Sequence, residues 1–216
     1  MSINGGLPVY KPTFFEEQAL ISGGYRYIAG VDEVGRGALA GPVAAAAVIL
    51  PADVDNNSLC DVRDSKEVLP AKRELLCDII QREAVSVSVG VIPSWTVDHI
   101  GIVKATRLAM IVAIRQLSYI PEYLLIDGMK IPEIAIPQKA IIKGDKLCLS
   151  IACASIVAKV IRDALMVELN GHYPGYGFAL HKGYGTDYHI SCLNRKGPSP
   201  IHRYSFSPVR KVSEML

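Results

Sequence analysis

The 216-residue chain is half hydrophobic, carries 23 Lys and Arg against 21 Asp and Glu for a formal charge of +2, and contains five cysteines. It has no run of roughly eighteen uncharged apolar residues, which excludes a membrane span and predicts one soluble domain, with at most a small terminal appendage. The opening residues show no basic patch leading into an apolar stretch and the odd set of cysteines has no CxxC pair, so neither a secretory signal nor a disulfide framework is expected, and the cytoplasm is.

Residues 1–25 read as a loose arm with a short helix, FFEEQALIS. A strand is expected from Tyr27 to Val31, then a turn through Gly35 and Gly37, then a second strand along GPVAAAAVIL that Pro51 ends. The polar stretch from Ala52 to Leu69 is loop-like. Pro70 sits where a helix can begin, and AKRELLCDIIQRE continues it with Leu75, Leu76, Ile79 and Ile80 apolar. In AVSVSVGVI, residues 84–92, Val alternates with Ser or Gly, the period of a strand with one buried face. A helix is expected from about Thr96, with Ile100, Val103, Leu108, Ile111 and Ile114 facing a sheet. EYLLID makes a short strand ending at Asp127, and KAIIKGD another ending just before Asp145. The longest helix is predicted from Asp145 to Gly171, with Ala152, Ala154 and Ala158 allowing close packing. Beyond His172 the chain is rich in glycine and aromatic residues, and GTDYHISCLNRK reads as a small helical cap beside a cleft. This order of elements gives an α/β domain with helices over a mixed sheet. Its parts are an arm (1–25), a core (26–171) and a C-terminal helical extension (172–216).

Charge is unevenly spread. Residues 172–211 hold Lys182, Arg195, Lys196, Arg203, Arg210 and Lys211 against Asp187 alone, together with His172, His181, His189 and His202, while the rest of the chain is net negative. A basic quarter beside an acidic body fits a protein that neutralises a phosphate backbone on one side and holds metal ions on the other.

Three expected strand ends carry or lead into an acid: Asp32 with Glu33, then Asp127, then Asp145. Ligands of α/β sheets collect at such ends. Four like charges in one cleft raise one another's pKa and cost stability unless cations lie between them. Oxygen donors without clustered histidine or thiolate favour Mg²⁺ or Mn²⁺ over zinc, which points to two-metal phosphoryl chemistry. Taken singly, Asp127 before a glycine and Asp145 at a helix start also read as ordinary capping acids. The adjacent pair resists that account. Neighbours on a regular strand point to opposite faces, so Asp32 and Glu33 share a site only if the strand ends or distorts there. His189 and Cys192, three apart on an expected helix, lack a second pair and read as structural.

The blocks DEVGRGALAGPV, DSK (Asp64 to Lys66), IDG (Ile126 to Gly128), KGD (Lys143 to Asp145), SIACASIVAKVIRD and YPGYGFALHKGYGTDYH occur in that order. From about Tyr27 to Pro208 the chain thereby closely resembles ribonuclease HII, the type 2 ribonuclease H family. The resemblance implies an α/β, ribonuclease H-like fold: a mixed five-stranded sheet flanked by helices, with a C-terminal helical extension. It implies an endoribonuclease that hydrolyses the RNA strand of RNA–DNA hybrids and cuts 5′ to single ribonucleotides in duplex DNA, leaving 3′-hydroxyl and 5′-phosphate ends. It also implies two divalent ions, Mg²⁺ or Mn²⁺, in the active complex, held by Asp32, Glu33, Asp127 and Asp145, the acids already singled out at the strand ends.

By the same resemblance, Gly35, Arg36 and Gly37 form a ribonucleotide sensor with Tyr184. Glycines let backbone groups approach a ribose, whose 2′-hydroxyl both donates and accepts, and Arg36 can fork onto a phosphate. Tyr184 would stack on the deoxyribose after the ribonucleotide; without the resemblance it would read equally well as one of a buried cluster with Tyr173, Tyr176 and Phe178. Lys66, with the Ser65 hydroxyl beside it, resembles a phosphate contact. Lys146, Lys182, His202 and Arg203 are expected to touch the duplex backbone. Ala38, often proline in the family, and Cys153, often alanine, are departures that do not touch this chemistry.

A monomer acting on hybrid and ribonucleotide-bearing duplexes, with no membrane association, is expected; no segment identifies a replication-associated protein partner. One ion is assigned to Asp32 and Asp145, the other to Asp32, Glu33 and Asp127. Two alternatives are ribonuclease HIII, which shares the fold and the acids, and a non-catalytic nucleic-acid-binding module. The intact Gly35-Arg36-Gly37 turn and the short stretch before it disfavour the first. The full acid set disfavours the second, because a pure binder gains nothing from four negative charges facing phosphates.

Overall fold

The computed structural model describes residues 11–54 and 58–215, so the part of the expected arm over residues 1–10 lies outside the described residues. Helix α1 (Phe15–Ser22) is followed by strands β1 (Ile28–Val34) and β2 (Val43–Ile49), helix α2 (Pro70–Glu83), strand β3 (Ser86–Ile92) and helices α3 (Ser94–Ile100) and α4 (Ile102–Arg115). Strands β4 (Tyr123–Asp127) and β5 (Gln138–Ile141) come next, then helices α5 (Gly144–Leu147) and α6 (Leu149–His172). The C-terminal extension holds α7 (Phe178–His181), α8 (Asp187–Lys196) and α9 (Ser207–Ser213). The sheet order is β3-β2-β1-β4-β5, antiparallel across β3, β2 and β1 and parallel from β1 through β4 to β5. This is the mixed five-stranded α/β sheet with helices on both faces that was expected.

β2 is buried at every residue because it is covered on both faces. Ala45, Ala47 and Ile49 pack under Ala105, Ala109 and Ala113 of α4, while Ala46 and Val48 pack under α2 and α6. Alanine supplies little apolar area but lets both helices approach the sheet closely. Gly30 does the same on β1: a Cβ there would lie 2.2 Å from the backbone carbon of Ser150. The first turns of α6 therefore rest directly on β1, close to its acidic end.

The structure corrects the expected helices in detail. The helix after Pro93 is two helices, because Gly101, at φ 81°, ends α3 with its N–H on the Val97 carbonyl and α4 starts afresh. Of the apolar stripe predicted to face the sheet, Ile114 is buried and Ile100, Leu108 and Ile111 pack partly buried against the core, but Val103 is exposed, and Ala105, Ala109, Met110 and Ala113 are buried as well. In α2, Leu76 and Ile80 are buried while Leu75, apolar in the same stretch, is exposed. In β3 the small residues Ser86, Ser88 and Gly90 lie on the fully buried face. There α4 comes so near that a Cβ on Gly90 would meet the Ala109 carbonyl oxygen at 2.1 Å, and Ser88 Oγ donates to the Ala113 carbonyl at 2.5 Å.

The long helix begins at Leu149, not Asp145. Cys148 is extended because residue 13 intrudes: Thr13 N donates to the Leu147 carbonyl at 3.1 Å and Leu149 N to the Thr13 carbonyl at 3.0 Å. Behind it the buried Glu17 carboxylate accepts from Ser150 N at 2.8 Å and from Cys148 Sγ at 3.0 Å, capping α6 from 133 residues away. The described end of the arm is thus clasped to the core.

Candidate active site

The strand does not end at its acids. β1 stays paired to β2 through Val34, but its pairing to β4 stops at Val31 with Ile126. What ends is the partner on one side. Along that vacated edge Glu33 N donates to Asp32 Oδ1 at 2.7 Å. Carboxylate oxygens of Asp32, Glu33 and Asp127 gather within 4.8 Å of one another. Asp127 Oδ1 also accepts from Gly144 N at 2.6 Å, tying the end of β4 to α5. That tie brings Asp145 to the wall of the same cleft, a hollow of about 440 Å³.

The charge in this cleft is poorly compensated. Burial, then the charges of Glu33 and Asp127, hold the Asp32 carboxyl well above the usual carboxylate range. Burial also raises Asp127, and it raises Asp145 with help from the charges of Asp64 and Asp127. Lys66 opposes these shifts at Asp127 and Asp145, and Arg36 Nη1 stands 3.3 Å from Glu33 Oε1. An all-oxygen, desolvated and electron-rich donor set fits a hard divalent cation such as Mg²⁺ or Mn²⁺.

The turn after β1 closes with Ala38 N on the Gly35 carbonyl at 3.3 Å. Its two glycines differ. Gly35 is buried at φ 88°, and a Cβ would lie 2.1 Å from Arg162 Nε, so the fold itself demands glycine. Gly37 is exposed, outside the left-handed region, and a Cβ there meets no described atom within 4 Å. Arg36, Gly37 and the half-buried Tyr184 line the cleft with the acids. The Arg162 guanidinium lies 5.4 Å from the Tyr184 ring centroid and donates to the carbonyls of Pro42, Lys182 and Ala40.

Ser65 and Lys66 line the cleft as expected, their turn fixed by Lys66 N on Asp64 Oδ1 at 3.0 Å and Arg73 Nε on the Ser65 carbonyl at 2.8 Å. Four expected duplex contacts stand elsewhere. Lys146 is paired to Glu67 at 2.7 Å and to Asp64 at 3.4 Å, off the cleft wall. Lys182 donates its ammonium to the Ala179 carbonyl and lines a separate cavity with Arg73 and Asp163. His202 and Arg203 are fully buried and bonded inward, so neither presents a surface to a duplex, whereas Arg195, Lys196, Arg210 and Lys211 stay exposed.

Ser155, Lys159 and Asp64 went unassigned from the sequence. Ser155 lines the cleft beside Asp32, where its hydroxyl draws the Asp32 pKa back down, and its Oγ donates to Ser65 Oγ at 3.0 Å. Lys159 lines the cleft and donates to Asp163 Oδ1 at 2.8 Å. A signal was present: on a helix apolar from Ile151 to Ala158, polar Ser155, Lys159 and Asp163 recur every four residues.

A family model described as ribonuclease HII matches residues 29–209. A protein named ribonuclease HII from Dehalococcoides mccartyi strain 195 is 50% identical over 205 residues, covering 95% of this chain and 97% of the relative. The crystal structure of ribonuclease H2 from Pyrococcus horikoshii OT3 is similar with a TM-score of 0.73 and 25% identity, over 88% of this chain and 98% of that one. Bst-RNase HIII, solved in complex with Mn²⁺, has a TM-score of 0.67 at 18% identity over 88% of this chain and 70% of that one, a likeness of fold alone. No helix among the described residues is long and apolar enough to cross a membrane.

Proposed function

The chain belongs to the ribonuclease HII family and is a type 2 ribonuclease H, an endonuclease for the RNA of RNA–DNA hybrids, and on that premise we propose that it also cuts duplex DNA 5′ to a single embedded ribonucleotide. The products are a 3′-hydroxyl and a 5′-phosphate on the ribonucleotide. One observation carries the proposal: Gly35, Arg36, Gly37 and Tyr184 line the same cleft as Asp32, Glu33, Asp127 and Asp145. Gly37 supports it further. Neither its backbone angle nor crowding from described residues requires glycine, so the open side of the turn leaves room for a ligand's sugar.

Two divalent ions would be held by Asp32, Glu33, Asp127 and Asp145, with Asp32 shared. Bound there, such ions supply Lewis-acid activation of water and stabilise the departing 3′-oxygen of an in-line displacement. The chain's own groups do the rest. Backbone donors and acceptors of the Gly35–Gly37 turn face the ribose 2′-hydroxyl. Arg36 exchanges its contact with Glu33 for a phosphate, which it grips through two N–H groups, and Lys66 neutralises a second phosphate. Tyr184 stacks on the following deoxyribose, favouring an RNA-to-DNA junction. Ser155, whose hydroxyl draws the Asp32 pKa back down, offsets part of the cost of charging that acid.

The test is a duplex carrying one ribonucleotide, incubated with Mg²⁺ or Mn²⁺, with the cut position and end chemistry mapped. Cleavage on the 5′ side with a free 3′-hydroxyl is expected. A 2′,3′-cyclic phosphate product, or cutting of ribonucleotide runs with the lone ribonucleotide left intact, as an enzyme of the HIII type would leave it, overturns the proposal.

A further inference from the structure

We infer that His202 and Arg203 are positioning residues that hold the two halves of the ribonucleotide sensor together, and so set the preference for a lone ribonucleotide over a continuous hybrid. The inference rests on the sensor assignment proposed above.

Arg203 grips the first half. Its Nη1 donates to the Arg36 carbonyl at 2.9 Å, its Nε to the Gly41 carbonyl at 3.1 Å, and its backbone N to the Leu39 carbonyl at 2.8 Å. One residue thus fixes both ends of the segment that follows the metal-ligand candidates. His202, its neighbour, reaches the second half through another ring. Ser199 N donates to His202 Nδ1 at 2.9 Å, which leaves Nε2 as the protonated nitrogen, 3.1 Å from His189 Nε2. His189 Nδ1 lies 2.9 Å from the Tyr184 carbonyl, a group that only accepts, so its Nε2 is free to receive the His202 proton. With tautomers assigned from these partners, the chain of donors runs from Ser199 through His202 and His189 to Tyr184. Leu39 N and Ala40 N also both donate to the Gly183 carbonyl, at 2.8 and 3.3 Å, so the halves touch where residues 202 and 203 clamp them.

Burying Arg203 carries a cost that its position must offset. Arg203 is fully buried, it has no salt bridge among the described residues, and its Nη2 finds no partner there. The guanidinium leaves one buried donor unpaired, while two of its other N–H groups satisfy the Arg36 and Gly41 carbonyls, which an apolar residue could not do. What a guanidinium adds is a rigid fork that sets two carbonyls at a fixed separation.

The experiment compares R203K and H202Q with the unmodified chain, measuring kcat/KM on a lone-ribonucleotide duplex and on a uniform hybrid, with Tm recorded for each. S199A, which removes only a hydroxyl 2.8 Å from His202 Nδ1, joins the set in case H202Q fails to fold. The expected result is a drop on the lone ribonucleotide about tenfold greater than on the hybrid for R203K, with smaller shifts in the same direction for the histidine-side variants. Equal losses on both substrates that follow Tm, with the ratio unchanged in every folded variant, mean a purely structural role and overturn the inference. Y184A separates the two levels. A ratio that Y184A moves while R203K and H202Q do not refutes the coupling alone, whereas a ratio unmoved by Y184A refutes the sensor assignment and the coupling with it.

Discussion

The acidic corner at the end of β1 and the histidine- and arginine-rich basin beneath the C-terminal extension treat charge in opposite ways. At the corner, burial and mutual repulsion raise Asp32, Asp127 and Asp145, and few cations oppose them. In the basin, burial pushes His181, His189 and His202 down so that they stay neutral, and the two buried arginines donate their N–H groups in hydrogen bonds to backbone carbonyls. The first region is left unbalanced and can be completed by cations. The second is nearly self-satisfied and can only support its surroundings. Charge in a sequence marks a ligand site where the fold leaves it uncompensated, and scaffolding where the fold consumes it.

The largest expected effect lies at the corner. D32N should lower cleavage at least about a thousandfold while raising the Tm of the metal-free protein. The second half follows from the raised pKa: the charged carboxylate is disfavoured by folding, so stability falls as pH rises toward the folded pKa, and a neutral isostere removes that cost. A lower Tm for D32N would break the contrast between the two regions.

The basin should show the reverse pH dependence. Burial holds the His202 pKa at about 4, against an ordinary value of about 6.5, so the unfolded chain takes up a proton that the folded chain refuses. Its contribution is intact above about pH 6.5 and is lost as pH falls toward 4, about 3 kcal/mol in all. Urea unfolding of the unmodified chain and of H202Q across that window should give profiles that converge on acidification; parallel profiles would refute the assignment.

Gly35 and Gly37 sharpen the comparison within one turn. G35A drives a Cβ into Arg162 at a left-handed position and should cost about 2 kcal/mol or more in urea unfolding. G37A should change stability by less than about 0.5 kcal/mol yet slow cleavage of the lone ribonucleotide about tenfold. The smallest effect is at the rim of the basin. Thr186 Oγ1 accepts from His189 N at 3.3 Å as the cap of α8, and T186A should cost about 1 kcal/mol by thermal melting, with cleavage selectivity unaltered.

The acids were legible because each sits where an apolar strand pattern stops, and such ends share one edge of an α/β sheet. The reason two adjacent acids can share a site was not. The strand keeps its period through Val34, and the vacancy arises on the β4 side, where the partner ends. Which residues make the tightest helix-to-sheet contacts was not legible either: hydrophobicity marked Val103, which is exposed, while close approach of helix to sheet selected Ala on α4 and Ser and Gly on β3. The break at Cys148 was invisible for a different reason: it is imposed by Thr13, more than 130 residues away in the chain.

Alone, the sequence determined the order of strands and helices, the four acids, and the glycine turn beside two of them, since these depend on local period, turn chemistry and residue type. Only the tertiary structure decided which charges stay available. Lys66 faces the cleft and Lys146 does not, and His202 and Arg203 turned from surface contacts into buried struts. Burial and partner choice are set by contacts between segments distant in the chain, and no local pattern encodes them.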